Sequence, residues 1–415
     1  MPPLGPDGLD RQRRRALATY FVAAALTSIG YIAFFTVAAI AAPEITGSKG
    51  SSGLPSAAAV AGTAVAAALL STVMARRGRR IGIVLGIGVG VAGAATAVLA
   101  VLTASLLLLL AGSLAIGFGN AAIQLSRYAA ADLYPPARRA GALGIVVWGS
   151  TIGAVVGPNL ISPAGVLAEG QGISPLAGGF AMTVIFVVAA LLVSALGPRA
   201  PREDEPDPHP EAKAGRTPAL QMLADLLRQV RGRTAVLAMG SGQVVMTLIM
   251  TMTPLHLHEA GHGLGTVGFV ISAHALGMYA LAPVSGRLTD RLGASTVITT
   301  GFAALAAAGL LAAVAPAESG TALALPLFLL GLGWNLTFVA GSSLLASGAS
   351  LPDRARLQGV TDALVWTAAA LSSIASGYVV ELAGYVTLSL LGAGAAVLLA
   401  GVIAVDRRTA RPAEA

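Results

Sequence analysis

Long apolar segments recur along the whole chain and constrain its fold more than any other feature. A helix that crosses about 30 Å of hydrocarbon needs about 20 apolar residues. In lipid, every backbone N–H and C=O group must also be satisfied internally. The segments of sufficient length are 16–42, 54–75, 81–102, 105–131, 142–163, 176–196, 235–254, 267–285, 294–315, 321–346, 360–383 and 386–405. The pattern therefore predicts an all-α integral membrane protein with twelve transmembrane helices, six in each half.

The bulk composition agrees with a membrane protein. Of the 415 residues, 55% are hydrophobic and only 11% are charged, with a mean hydropathy of +0.79. A soluble protein of this length needs far more charge on its surface. The first segment is also much longer than the apolar region of a signal peptide, which is about 7–15 residues, so we expect it to be retained as a span.

The basic residues fall in alternate loops. Lys and Arg are concentrated in 76–80, 138–139, 199–233, 287–291, 354–356 and 407–411, and Lys49 is the exception. Cytoplasmic loops are typically enriched in these residues. We therefore expect a multi-pass protein of the cell (inner) membrane with both termini in the cytoplasm. The net charge of +7 is then explained by topology, and no nucleic-acid partner is expected.

Three regions follow from this map: an N-terminal six-helix bundle (1–197), a cytoplasmic linker (198–233) and a C-terminal six-helix bundle (234–415). Residues 197–218 are rich in proline and acidic residues, which is typical of a solvated linker. Apolar residues then recur at helical spacing from Leu220 to Val230. This spacing predicts an amphipathic helix on the inner membrane surface.

The two halves repeat each other at a spacing of about 215 residues. The loop 71–80 corresponds to 286–293, Gly117-Phe118-Gly119 corresponds to Gly331-Leu332-Gly333, and the Pro and Arg of 135–139 correspond to those of 352–356. Such a duplication predicts two similar bundles related by a pseudo-two-fold axis.

The loop at 286–293 carries the most specific motif. Its sequence GRLTDRLG matches G-x-L-x-D-R-x-G in full, and with it the chain resembles the major facilitator superfamily over nearly its whole length. The first-half copy has Ser71, Val73 and Ala75 in place of Gly, Leu and Asp. The resemblance implies that these loops latch an inner gate, and the candidate gating residues are Arg76, Gly78, Arg79, Gly286, Asp290, Arg291 and Gly293. The alternative is that the arginines only set topology.

A second motif lies in span five, where Gly149, Gly153, Gly157 and Pro158 are similar to the G-x-x-x-G-P of drug/proton antiporters. Ile161 and Ser162 replace the Gly pair that follows in those proteins. The resemblance makes Gly157 and Pro158 candidate gating residues. Close helix packing through small residues is the alternative explanation.

Ionisable groups inside spans are functional candidates because their burial in lipid is costly. His274 lies near the centre of span eight and is a candidate proton carrier, or else a neutral histidine bonded to a neighbouring helix. Asp362 in span eleven is a candidate coupling carboxylate, or else the partner of a loop arginine such as Arg76 or Arg291. Arg127 in span four either binds an anionic group of a substrate or extends to the interface.

Uncharged polar and aromatic residues supply the remaining candidates for a substrate site, although packing or interfacial anchoring is the alternative for each aromatic. They are Tyr31, Asn120, Gln124, Trp148, Gln243, Tyr279, Trp334, Asn335 and Trp366. A few amides among several aromatics favour an apolar or amphiphilic ligand.

A histidine cluster, His256, His258 and His262, follows span seven. His258-Glu259-Ala260-Gly261-His262 fits the zinc-protease signature H-E-x-x-H, but three nearby glycines argue against a helix through it. Weak metal binding and a role as a titratable part of the outer gate are the other interpretations.

Together these features predict a secondary transporter that works by alternating access, without enzymatic activity or a cofactor. No G-x-x-x-x-G-K-[ST] phosphate loop is present, so a proton gradient is the expected energy source. We expect a monomer in the bilayer that exports a small hydrophobic or amphiphilic compound. The alternatives are uptake of a small metabolite or metal chelate, a membrane zinc metalloprotease that uses His258, Glu259 and His262, and a membrane scaffold without transport.

Overall fold

The computed structural model describes residues 6–134, 136–198, 219–316, 319–347 and 351–410. Most of the predicted linker, residues 199–218, lies outside this part of the chain. Pro135 and residues 348–350 also lie outside it. The described residues are almost entirely helical.

Seven helices form the first half, because span five is divided in two. They are α1 (Pro6–Thr46), α2 (Leu54–Arg77), α3 (Arg79–Leu102), α4 (Leu106–Ala131), α5 (Pro136–Val156), α6 (Ile161–Glu169) and α7 (Pro175–Leu196). Short 3-10 helices precede α2 (Lys49–Gly53) and join α5 to α6 (Gly157–Leu160).

The second half begins with the predicted amphipathic helix. Its helices are α8 (Ala219–Arg228), α9 (Val230–Glu259), α10 (Leu264–Tyr279), α11 (Ala282–Leu292), α12 (Ala294–Val314), α13 (Ala324–Ser347) and α14 (Leu351–Ala410). In α8, Leu226 packs with Ala235, Val236 and Leu345 at the ends of α9 and α13. This contact fixes α8 against the second bundle.

Within the described residues, eleven segments are long and apolar enough to cross a membrane. The last of them, Val360–Val405, has 46 residues, about twice the length that one crossing needs. Gly384 interrupts it with φ 79° and ψ 170°, a left-handed conformation that suits glycine. The segment therefore contains two crossings, and the prediction of twelve spans in an all-α membrane fold is confirmed.

The backbone shows the internal repeat directly. Three pairs of glycines have positive φ at a spacing of about 215 residues: Gly47 and Gly261, Gly78 and Gly293, and Gly172 and Gly384. Each pair lies at the same interhelical connection in the two halves. Gly78 and Gly293 also agree in ψ, at 154° and 147°. Corresponding turns have thus kept one backbone geometry in both halves.

Each half has a hydrophobic core of its own. Phe34 and Phe180, 5.0 Å apart between ring centroids, lie in the first core. Phe302 and Leu327 lie in the second. Separate cores allow the halves to move as bodies, because a relative motion leaves most buried contacts intact.

Two spans are broken where the sequence analysis expected continuous helices. Span five changes to a 3-10 helix at Gly157–Leu160, and span eight is interrupted between Tyr279 and Ala282. Pro158 and Pro283 lie at the starts of the segments that follow. Proline removes a backbone donor and clashes with the preceding turn, so both breaks have a local cause.

The glycines of span five pack against α1. A Cβ at Gly149, Gly153 or Gly157 would overlap the carbonyl oxygens of Phe21, Ala25 and Ile29, respectively. The motif therefore provides close α1–α5 contact, which is the packing role considered above.

Replacing Gly153 by Ala should destabilise the protein by about 1–3 kcal/mol, since the added methyl group meets backbone rather than a flexible side chain. Thermal unfolding of the purified protein in detergent measures the effect. Gly88→Ala in α3 is the matched control, because its Cβ would meet no atom within 4 Å and alanine favours the helix. Equal stability of the two variants would contradict the packing role.

Candidate functional site

Polar contacts join the two halves at one end of the molecule, which we call the closed end: the residues around the 3-10 helix Lys49–Gly53 and the end of α9. Lys49 Nζ forms an ion pair with Glu259 at 2.9 Å. Glu44 Oε1 lies 3.2 Å from His258 Nε2. Both pairs connect the first half to α9, and all four side chains are partly exposed.

Glu381 of α14 makes a third connection at the closed end. Its carboxylate accepts hydrogen bonds from Ser48 Oγ at 2.8 Å and from the Gly50 backbone N–H at 3.1 Å. About two turns before Glu381 in α14, Ser373 Oγ donates to the Gly53 carbonyl at 3.1 Å. The 3-10 helix is therefore held on α14 by side-chain and backbone groups.

Glycines bring the backbones of the halves together at the same end. A Cβ at Gly268 would overlap the Pro158 carbonyl, and one at Gly377 would overlap Gly50. Ser272 of α10 donates to the Val155 carbonyl at 2.6 Å and accepts from Asn159 Nδ2 at 2.7 Å. Pro158 and its neighbours thus form part of the seal between the halves.

At the opposite end, the basic end, lie the arginine-rich loops 76–80 and 287–291. A polar stripe on α4 leads toward it. Asn120, Gln124 and Arg127 follow one another at i, i+4 and i+7 and therefore share one helix face. Gln124 is exposed, whereas Asn120 donates to Thr63 Oγ1 at 3.3 Å.

Arg127 and Asp362 face each other from opposite halves. The Arg127 guanidinium is the charged group that acts on the Asp362 carboxylate. Both side chains are described, and no ion pair joins them; Arg127 instead lies over the Tyr128 ring, and its buried Nε has no hydrogen-bond partner. The stripe on α4 thus faces a cleft between the halves. Among the described side chains no ion pair joins Asp362 to Arg76 or Arg291 either, and its pairing with a loop arginine stays a prediction.

An aromatic cluster lies on the second-half side. The rings of Trp334 and Phe338 stack at 4.9 Å, and Tyr279 meets Trp334 edge-on at 6.2 Å. Trp334 Nε1 donates to Gln243 Oε1 at 2.7 Å, and Gln243 Nε2 donates to Thr247 Oγ1 at 3.0 Å. The hydrogen bonds fix the indole orientation, so the cluster is preorganised.

Tyr31 brings the first half to the same region. Its hydroxyl lies near Thr63, which accepts a hydrogen bond from Asn120, and near the Tyr279 hydroxyl of the second half. Tyr31, Asn120, Tyr279 and Trp334 were each predicted from sequence as single candidates. The structure connects them through shared contacts.

Trp148 and Trp366 lie nearer the basic end and are 65% and 40% exposed. Trp366 is seven residues before Ser373 and shares its face of α14. Since Ser373 contacts the first half, Trp366 also points toward it.

His274 and Asn335 bond other helices of the second half in the described structure. His274 Nδ1 bonds the Leu327 carbonyl at 2.9 Å, while its buried Nε2 has no partner. Asn335 Nδ2 donates to Met278 O at 2.6 Å and its Oδ1 accepts from Ser285. Asn335 therefore provides a hydrogen-bond donor for the Met278 carbonyl, which lies at the break in span eight. Proton transfer by His274 stays a prediction.

The predicted gating loops show two arrangements. In the first half, Arg79 forms an ion pair with Asp132 at 3.1 Å, and Arg80 donates to the Ala195 carbonyl. In the second, Asp290 and Arg291 are exposed. Gly78 and Gly293 form the corresponding turns described above, whereas the space around Gly286 is open. The latch role implied by the resemblance stays a prediction, together with Arg76.

The three histidines do not converge. His256 stacks on Tyr385 at 4.1 Å, His258 contacts Glu44, and His262 lies beside Gly320. Within the described residues, no group of three His, Cys, Asp or Glu side chains is arranged to hold a metal ion. Sequence analysis missed Glu44 and Glu381 as partners at the closed end. Lys49, the one basic residue outside the topological pattern, was the available signal.

Comparison with known proteins places this geometry in a family context. The model of the Major Facilitator Superfamily matches residues 20–267 and 234–415. The MFS-type transporter YddS of Bacillus subtilis (strain 168) is 35% identical over an alignment of 413 residues. The alignment covers 96% of this chain and 92% of that protein. The riboflavin transporter RfnT of Brucella anthropi is 27% identical over 324 residues, 77% of each chain. The crystal structure of the nucleoside transporter NupG superposes with a TM-score of 0.70 at 19% identity, covering 94% of this chain and 98% of that one.

Gln243→Leu should destabilise the protein by about 1–3 kcal/mol, because the buried Trp334 N–H loses its acceptor. The free energy of unfolding measures this loss. Emission of Trp334, recorded with Trp148 and Trp366 replaced by Phe, reports the changed indole environment.

Gln124→Leu is the matched control for this prediction, since the Gln124 side chain is exposed. If both substitutions changed stability and emission equally, the Gln243–Trp334 hydrogen bond would not organise the cluster.

Proposed function

The chain belongs to the major facilitator superfamily, and on this premise we propose that it is a proton-coupled transporter that exports a small hydrophobic or amphiphilic compound by alternating access. It is a multi-pass membrane transporter with a small-molecule substrate and not an enzyme. His258 and Glu259, the suspected zinc-protease residues, contact Glu44 and Lys49 instead.

The observation that carries the proposal is the unequal contact between the halves. Backbone contacts, hydrogen bonds and ion pairs join them at the closed end, whereas Gln124 and Trp148 stay exposed toward the basic end. A transporter with two bundles works by opening such a cleft to each side in turn. We infer from the positive-inside rule that the basic end is cytoplasmic, and we therefore propose that the cleft is open to the inside.

The side chains around the cleft favour an amphiphilic compound with an aromatic part. Tyr279 and Tyr31 contribute partly exposed rings, and Trp334 is buried against Tyr279. Asn120 and Gln124 offer amides, while Arg127 and Asp362 carry the charges. Pockets of this composition bind largely apolar ligands and orient them with a few polar groups. The relative named as a riboflavin transporter supports a planar, polar-substituted substrate.

Export is favoured over uptake by the likeness of span five to drug antiporters and by the sparse charge of the cleft. Uptake of a small metabolite is the second candidate, and the likeness to a riboflavin transporter favours it. Flux in vesicles of defined orientation separates the two. Nothing in the described site favours a metal chelate.

Asp362 is the proposed coupling carboxylate. It faces the cleft, and Arg127 acts on it from the other half. Protonation of Asp362 would release this attraction and change the energy of closing the basic end. His274, by contrast, lies against α13 through its bond to Leu327.

Proteoliposomes that contain the purified protein should show substrate flux that increases when a pH gradient is imposed. The flux assay uses riboflavin and a series of uncharged planar dyes as probes. Asp362→Asn should abolish the response to the gradient while leaving exchange without a gradient measurable.

His274→Gln provides the comparison for Asp362→Asn, because glutamine keeps a donor toward Leu327. If flux through Asp362→Asn still responded fully to the pH gradient while flux through His274→Gln did not, the histidine and not Asp362 would be the coupling residue. A response in neither wild-type nor variant proteoliposomes, with flux present, would indicate facilitated diffusion.

The closed end should open when its ion pair is reversed on one side. In Glu259→Lys, two lysines face each other at this position and repel. The fraction of molecules in which the two halves have separated at the closed end should rise about 2–5-fold, because partly exposed ion pairs contribute about 0.2–1 kcal/mol. The chain has no cysteine. A Gln124→Cys substitution added to each variant therefore allows the accessibility of the basic end to be measured by thiol labelling without background. Labelling by an impermeant maleimide should become slower as that end closes.

The double variant Lys49→Glu/Glu259→Lys restores an attractive pair and is the matched control. Its labelling rate should return to that of the Gln124→Cys protein. An unchanged rate in Glu259→Lys alone would show that the ion pair does not contribute to the seal.

A further inference from the structure

A groove of about 300 Å³ lies between α1 and α5, toward the basic end. Its lining consists of Phe21, Gly141, Gly144, Ile145 and Trp148. None of these residues except Trp148 was singled out by sequence. The lining contains no charged side chain, and a volume of this size is within the range of ligand-binding pockets.

The α5 wall of the groove belongs to the face that meets the second half. Gly141, Trp148 and Val155 are separated by seven residues each and therefore lie on one side of the helix. The Val155 carbonyl accepts the hydrogen bond of Ser272 from α10. The stripe that seals the halves at the closed end thus continues into the groove.

The α1 wall has the same orientation. Phe21 lies eleven residues, or three helical turns, before Ile32 and shares its side of α1. Ile32 packs against the hydrophobic core of the second half. Both walls therefore lie on the sides of α1 and α5 that face the second half.

The shape of the groove suits a flat ring. A Cβ built on Gly141 or Gly144 meets no atom within 4 Å, so the floor between the walls is bare backbone. Trp148, 65% exposed, and Phe21 supply the aromatic side chains of the lining. Aromatic side chains stack on planar ring systems in offset or edge-on geometry.

We propose that this groove is the subsite that receives the planar, uncharged aromatic ring system of the transported compound as it enters from the basic end. The inference rests on the proposed function, because it assigns one part of the substrate to one part of the cleft. In this proposal the groove binds the ring of the compound, and the polar stripe on α4 binds its polar substituents.

The test measures ring binding and transport separately. The full-length protein in nanodiscs is titrated with lumiflavin, an uncharged flavin ring without the sugar chain, and with riboflavin, while quenching of tryptophan emission is recorded. Gly144→Leu, which places a side chain in the open floor, should weaken lumiflavin binding about ten-fold or more. Trp148→Ala should weaken it similarly, whereas Trp148→Phe, which keeps a ring face, should bind nearly as the wild type does.

Gly88→Leu is the control for the added leucine, because Gly88 also has open space around its Cβ position. Gel filtration and thermal unfolding confirm that each variant folds. If Gly144→Leu precipitates, Gly141→Ala with the Trp148 pair of variants carries the test, since Gly141→Ala and Trp148→Phe need only small changes of volume.

Three results would overturn the proposal. Wild-type binding of lumiflavin that is unaffected by Gly144→Leu and Trp148→Ala would place the ring elsewhere, with the transport function intact. Quenching of Trp148 by lipids brominated on their acyl chains would show that the groove holds a lipid tail. Absence of lumiflavin binding to the wild type would exclude the ring subsite, and flux of the other probes in proteoliposomes then shows whether the proposed function survives.

Discussion

Close approach of helix backbones at glycine is the interaction on which this structure depends. Lipid is as apolar as the side chains, so burial of apolar surface gives transmembrane helices little reason to associate, and packing must supply it. In the first half, the three glycines of span five fit against carbonyls on successive turns of α1. The seal between the halves uses the same contact, with Gly268 on Pro158 and Gly377 on Gly50. Such contacts are tight but contain few polar bonds, so they can separate without leaving many buried groups unsatisfied.

The polar contacts of the closed end suit a seal that must open repeatedly. Lys49–Glu259 and Glu44–His258 are partly exposed pairs, which individually contribute little to stability. Their carboxylates and cations return to water when the halves part, so opening carries no large desolvation cost. Charge at this end sets the balance between states and does not lock one of them.

The cleft divides its chemistry between the two halves. Tyr31 and the stripe on α4 belong to the first half, while the Trp334 cluster and Asp362 belong to the second. A ligand that touches both sides is bound fully only when the halves come together around it. Under the proposed function, this arrangement would couple ligand occupancy to the motion of the bundles, because the ligand interacts differently with the open and closed cleft. The gating loops repeat the same backbone turn, but Arg79 has a carboxylate partner whereas Asp290 is exposed.

The architecture could be predicted from the sequence because its determinants are local. Segment length and hydropathy give the twelve spans, since a bilayer has a fixed thickness. The repeat spacing was visible in short motifs, and Gly78 with Gly293 confirmed it. The helix breaks at Pro158 and Pro283 also have local causes, although the sequence analysis did not use them.

The site was predictable only as separate residues. A search for ionisable and aromatic groups in spans found Arg127, Asp362, Tyr279 and Trp334, because such residues are rare in lipid. It did not place Arg127 opposite Asp362, or Glu44 beside His258, since the residues in each case come from different halves and are more than 200 residues apart. The groove beside Trp148 was also missed, as its floor is made of glycines that carry no chemical signal. The sequence by itself thus determined the spans, the repeat and the family. Only the tertiary structure decided which side chains meet and which end is closed, because those depend on contacts between helices that local pattern does not encode.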